Sequence, residues 1–237
     1  MTMINTPLFL VVALLSTSAM ADDSKSLRYG RDVSQRYCAS CHGHAGDGFG
    51  TSARRFDNTA TDFGRGIYKC RTTPTGTLPT DDDLRRSVRD GLFDSGMPAF
   101  VAIGMLQIDD VITLIKSFSA RFAHERPGMA LSVPMQPAST AESIAHGAQV
   151  YETMKCANCH GPRGRGRGPA AATLRNEDGS EAHVTDLAGS LKCGDSPTRI
   201  YTTIMTGMDG TPMSSYAETL EAKDAWALVH FVQSLRR

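Results

Sequence analysis

The sequence predicts a mainly α protein built as two tandem domains. Three observations carry that reading. Alternating runs of strand type are nearly absent, while apolar residues recur at helical spacing. The second half of the chain restates the first, feature by feature. Between the halves, residues 126–140 carry Pro127, Gly128, Pro134 and Pro137, too many breakers for the interior of an element.

The elements follow in order. Leu8 to Leu15 form an apolar run too short to span a bilayer, and Ser16 to Ala21 end in Ala19-Met20-Ala21, the small-residue pattern of a cleaved export signal. The usual positive flank is missing, since Lys25 is the first basic residue. We therefore expect a signal peptide over 1–21, a first domain over 22–125, a linker over 126–140 and a second domain over 141–237. A helix over Leu27 to Tyr37 and its counterpart over Ser139 to Lys155 open the domains, the second with the capping-box pattern Ser139-x-x-Glu142. A further helix starts at the N-cap Thr80, with Asp81, Asp82 and Asp83 at its positive end, and stops at Gly91. Its counterpart runs from Ser196, with Pro197 in the first helical position, to Gly207. Both glycines suit a left-handed C′ position. Val111, Leu114, Ile115 and Phe118, then Trp226, Val229, His230 and Val232, mark the terminal helix of each half.

Composition narrows the function classes. Lys+Arg 25 against Asp+Glu 25 gives no net charge, and neither half is strongly basic, so nucleic acid is not an expected partner. No later stretch approaches the length of a membrane span. With 7% aromatic residues and 22 Gly, side chains are thin material for two cores, which suggests that something else helps to fill them.

The cysteines name that filler. Cys38-Ala39-Ser40-Cys41-His42 and Cys156-Ala157-Asn158-Cys159-His160 repeat one pattern, each followed by glycine. Cys-x-x-Cys-His reads as c-type haem attachment. Two thiols three residues apart on a helical turn can each add to one haem vinyl group, and the adjacent histidine is then held under the iron. A thioredoxin-like pair would want a βαβ setting, and a structural zinc site would want four ligands gathered together. Downstream, Gly91 to Phe100 aligns without gaps on Gly207 to Tyr216, placing Met97 and Met213 six residues after a glycine. Tyr68-Lys69-Cys70 is echoed by Leu191-Lys192-Cys193.

With these residues the chain resembles the class I cytochrome c family, as a tandem member with two cytochrome c-like domains, each built around one covalently attached haem. The resemblance implies His42 and Met97 as axial ligands of one haem, and His160 and Met213 as those of the other. The repeat favours the same pair, because Met105, Met129, Met135, Met154, Met205 and Met208 are not repeated in both halves. His44, His124, His146, His183 and His230 read as surface or packing residues. The family also implies a proline carbonyl that orients the imidazole. Pro169 fits that place after His160, whereas Thr51 stands there after His42.

Cys70 and Cys193 remain, at equivalent places in the repeat. In an exported chain they invite a disulfide clamping the domains; two buried thiols, or a thiolate haem ligand, are the alternatives. Two His/Met haems leave no open coordination position, which points to single-electron transfer between redox protein partners in the periplasm, including a membrane oxidoreductase complex as a partner. A Cys-ligated haem would instead make the chain resemble the thiosulfate dehydrogenases, acting on a small sulfur compound. Arg163, Arg165 and Arg167, interleaved with glycines beside the second haem motif, form either a basic docking loop or an ordinary solvated one.

Overall fold

A computed structural model describes residues 8–55 and 60–236. Residues 1–7 of the expected signal segment lie outside the described residues, and residues 8–21 form the first part of a long helix. The architecture is helical throughout, with no strand among the described residues beyond two isolated bridges.

The first half contains α1 (Leu8–Tyr37), α2 (Ala39–His42), α3 (Asp81–Asp90), α4 (Met105–Ser117) and α5 (Arg121–His124). The second contains α6 (Ala141–Thr153), α7 (Ala157–His160), α8 (Pro197–Thr206) and α9 (Ala222–Ser234). Within each half the opening helix crosses the terminal one, α1 on α4 and α6 on α9. Glycine makes the crossing close. A Cβ on Gly30 would overlap the Asp110 carbonyl, and one on Gly147 would overlap the Ala227 carbonyl. The cores lie against these crossings: Val33, Leu84, Ile108, Val111 and Ile115 in the first half, Tyr151, Ile200, Ile204, Trp226 and Val229 in the second.

The caps agree with the sequence with two corrections. Thr80 caps α3 in a reciprocal box with Asp83, and Ser196 caps α8 with Pro197 in its first turn. The α6 cap is Thr140, paired with Ser143, one residue beyond the expected Ser139 and Glu142. Ser143 serves because its hydroxyl reaches both the Thr140 N–H and the His230 imidazole of α9, so tertiary packing selects the box. Gly91 and Gly207 end their helices at positive φ, 74° and 65°, but with ψ of 177° and −168° rather than in the left-handed helical region. The reason is a close return of chain: a Cβ would stand 2.7 Å from the Ala99 nitrogen at Gly91 and 2.6 Å from the Ser215 nitrogen at Gly207.

Residues 126–140 carry no helix, and they bridge the two halves closely. The Leu131 N–H donates to the Thr72 carbonyl of the first half at 2.7 Å, and its side chain packs on the second core. The halves are also joined directly. Cys70 and Cys193, 123 residues apart, form a disulfide with 5.2 Å between Cα atoms. Beside it Arg71, its side chain fully buried, donates to Asp209 at 2.6 Å and to the Thr206 carbonyl at 3.0 Å. Asp209 also accepts from the Thr75 hydroxyl and the Gly76 N–H.

Candidate haem sites

Both Cys-x-x-Cys-His segments are single helical turns. His42 N–H donates to the Cys38 carbonyl at 2.9 Å, and His160 N–H to the Cys156 carbonyl at 2.9 Å. This periodicity puts each cysteine pair on one face of its turn. The glycine-rich return behind each turn is hydrogen-bonded the same way in both halves. Gly48, Gly50 and Ser52 donate to His42, Cys41 and Ser40; Gly166, Gly168 and Ala170 donate to His160, Cys159 and Asn158.

Each turn opens onto its own cavity. Cys38, Cys41, His42 and Met97 line the first, walled by apolar side chains including Leu84, Phe100 and Val111. Cys156, Cys159, His160 and Met213 line the second, with Leu187, Ile200 and Tyr216. The two cysteine pairs line different cavities, and among the described residues no group of three or more His, Cys, Asp or Glu side chains is gathered as a zinc site would need. Met208 and His183 also line the second cavity. Met208 stands where Leu92 stands in the first half, and His183 lies 3.6 Å from the Asp94 carboxylate.

The imidazoles are oriented by backbone. His42 Nδ1 lies 3.1 Å from the Thr61 carbonyl, and His160 Nδ1 lies 3.1 Å from the Thr185 carbonyl. A carbonyl only accepts, so Nδ1 carries the proton and Nε2 keeps its lone pair. These threonines replace the expected pair, Pro169 and Thr51. The segments around 51 and 169 are tied to the back of the attachment turns by the Gly50, Ser52, Gly168 and Ala170 bonds, which leaves the later loop to reach the ring. Burial pushes both imidazoles below the usual histidine range, partly opposed by the carbonyls. Burial also raises the Cys38 and Cys156 thiols to about 11, keeping both protonated at neutral pH.

This donor set suits a c-type haem: two thiols on one face, a neutral imidazole with a free lone pair, a thioether lining the same cavity, and apolar walls. The comparisons agree. Residues 25–115 match the family described as cytochrome C oxidase, cbb3-type, subunit III, and residues 144–236 match the family described as cytochrome c. A chain of the Kuenenia stuttgartiensis reducing HAO-like protein complex superposes with a TM-score of 0.86 at 37% identity, covering 88% of this chain and 96% of that one.

The chain belongs to the class I c-type cytochromes. It is a tandem two-domain member that binds haem c covalently, with two haems for its two domains. This dihaem cytochrome is also 29% identical over 215 residues to the Cbb3-type cytochrome c oxidase subunit CcoP of Azospirillum sp. (strain B510). It spans 61% of that relative's length. Among the described residues no helix is long and apolar enough to cross a membrane.

Sequence reasoning missed Thr61 and Thr185 because they act through backbone oxygen, which any residue supplies. It also missed the pairing of Arg71 with Asp209. The repeated Lys69 and Lys192 were visible but had no assigned role.

Proposed function

We propose that this cytochrome is a periplasmic carrier that passes single electrons between redox partners through two low-spin His/Met haems. Cys38 and Cys41 would form the thioethers of the first haem, and Cys156 and Cys159 those of the second. His42 with Met97, and His160 with Met213, would be the axial pairs, one in each domain bounded by residues 22–125 and 141–237. The observation that carries this is the convergence of each histidine and its repeated methionine on one apolar cavity. Bound haem supplies the reversible one-electron couple. The protein's part is to fix the imidazole through Thr61 or Thr185, present the thioether from a loop closed on glycine, and keep water out with apolar walls.

The partner is a larger oxidoreductase. Support comes from the kinds of relative found, an oxidase subunit and a chain of a multi-protein complex. The thiosulfate dehydrogenase-like alternative needs a thiolate from Cys70 or Cys193, and each of those sulfurs is bonded to the other. Low-temperature electron paramagnetic resonance of the oxidised holoprotein, with the near-infrared Met-to-iron band, tests the reading. Two low-spin His/Met signals are expected; a thiolate or high-spin signal would overturn it. Met208→Leu and Met213→Ala separate the two methionines of the second cavity, and only Met213→Ala should abolish its band.

A further inference from the structure

Two lysines in the walls of these cavities, one buried and one partly buried, have no hydrogen-bond partner among the described residues. Lys192 is 6% exposed and lines the second cavity. Lys69, at the equivalent place in the repeat, lines the first. Among the described residues neither makes a hydrogen bond or an ion pair with a carboxylate. Asp94, across the interface from Lys192, accepts from Thr185 and lies beside His183, so it reaches Lys192 by charge alone, as Asp178 reaches Lys69. A buried ammonium is costly unless an anion meets it. In the first cavity the Tyr68 hydroxyl is also buried without a partner. Three donors without a hydrogen-bond partner therefore line cavities whose walls are mostly apolar, with Arg55 the other cation on the first and Lys155 and His183 on the second.

Their positions add a second point. Lys69 and Lys192 each precede a cysteine of the interdomain disulfide, and Cys70 lines the first cavity as Cys193 lines the second. The disulfide is a wall common to both. The two ammonium groups are close enough to interact: burial chiefly, and then the Lys69 charge, lower the Lys192 pKa to about 8.

The geometry points to Lys69 with Tyr68, and Lys192, as the groups that bind the propionate carboxylates of the first and second haem, so that the two carboxylate edges face each other across the Cys70–Cys193 wall. The carboxylate is the anionic group that the haem itself brings, and it accepts hydrogen bonds from an ammonium and a phenol. Each lysine then offsets negative charge beside its own haem and, through the shared wall, acts more weakly on the other.

This rests on the haem ligation proposed above, and the two fail separately. Wrong axial ligands show in the resonance spectrum of the unaltered holoprotein, whereas wrong carboxylate partners leave the midpoint potentials of the variants in place. The experiment is spectroelectrochemical titration of holoprotein carrying Lys192→Met, Lys192→Arg, Lys69→Met or Tyr68→Phe, with redox-difference infrared spectra of the carboxylates. Lys192→Met should weaken reduction of the second-domain haem about tenfold, ~59 mV for a one-electron couple. The first haem should shift in the same direction by less, and Lys192→Arg should restore both. Tyr68→Phe, which removes only a hydroxyl, should move the carboxylate band of the first haem even if a lysine variant fails to mature. Unchanged midpoints and carboxylate bands, or equal shifts from the exposed control Lys223→Met, would overturn the assignment.

Discussion

Replacing Asp209 by alanine should loosen the joint between the domains more than any surface change. The Arg71 guanidinium is fully buried, and Asp209, itself 14% exposed, is the carboxylate it touches, at 2.6 Å. Burial pulls the Arg71 pKa down from its ordinary value, and the charges of Asp209 and Asp83 oppose that pull. Without the Asp209 carboxylate, Arg71 keeps hydrogen bonds to the carbonyls of Thr206, Pro74 and Tyr68 but no carboxylate in contact. Breaking a buried pair from one side costs about 3–5 kcal/mol. The Thr75 hydroxyl and the Gly76 N–H lose their acceptor as well, but both are exposed and water replaces it. Each kcal/mol lowers Tm by about 2–4 °C in a chain of this size, so the expected fall is about 6–20 °C. The assay is thermal and urea unfolding of the holoprotein with its disulfide intact, followed by circular dichroism and by the near-infrared methionine band. Asp209→Asn, which keeps an acceptor oxygen, should lose less. A loss below about 1 kcal/mol for Asp209→Ala, the range of exposed pairs, would refute the reasoning and mean that Arg71 is solvated.

Further expectations follow from single features of the fold. Gly147→Ala should force α6 away from the Ala227 carbonyl and cost about 1–3 kcal/mol or more, read as a lower urea midpoint. Cys70→Ser should leave the haem spectra unchanged and cost about 2–5 kcal/mol, because the bond closes a long loop of the unfolded chain; intact mass without reductant should show no free thiol at either position of the unaltered protein. Asp83 supplies a pH dependence. Burial raises its pKa, but the Thr72 and Thr80 N–H groups and Arg86 outweigh that and hold it below the ordinary carboxylate value. Its contribution is therefore complete above the unfolded value of about 3.9 and is lost as pH falls through the lower folded value. Asp83→Asn should flatten the dependence of the urea midpoint on pH below about pH 4.

The site was legible where side chains do the chemistry. Cys-x-x-Cys-His fixes its geometry within five residues, because one helical turn places both thiols on one face whatever surrounds it. The repeat singles out Met97 and Met213, each following a glycine that lets the loop fold back on its helix, and each lines one of the two cavities. Illegible were contacts made by backbone or across sequence distance. Thr61 lies 19 residues beyond His42, whereas Thr185 lies 25 beyond His160, so loops of unequal length bring the same carbonyl to the same nitrogen and no spacing rule reveals it. The α6 cap moved to Thr140 because His230, far away in sequence, holds Ser143 in place.

Sequence alone determined the helical class, the tandem arrangement and the repeated Cys-x-x-Cys-His motifs, because periodicity, capping and attachment motifs are local. The tertiary structure decided how the halves meet: Cys70 against Cys193, Arg71 against Asp209, and Lys69 with the buried Lys192 on the wall between the cavities. Those pairings join residues more than a hundred positions apart, and their energy comes from burial, which exists only once the chain has folded on itself.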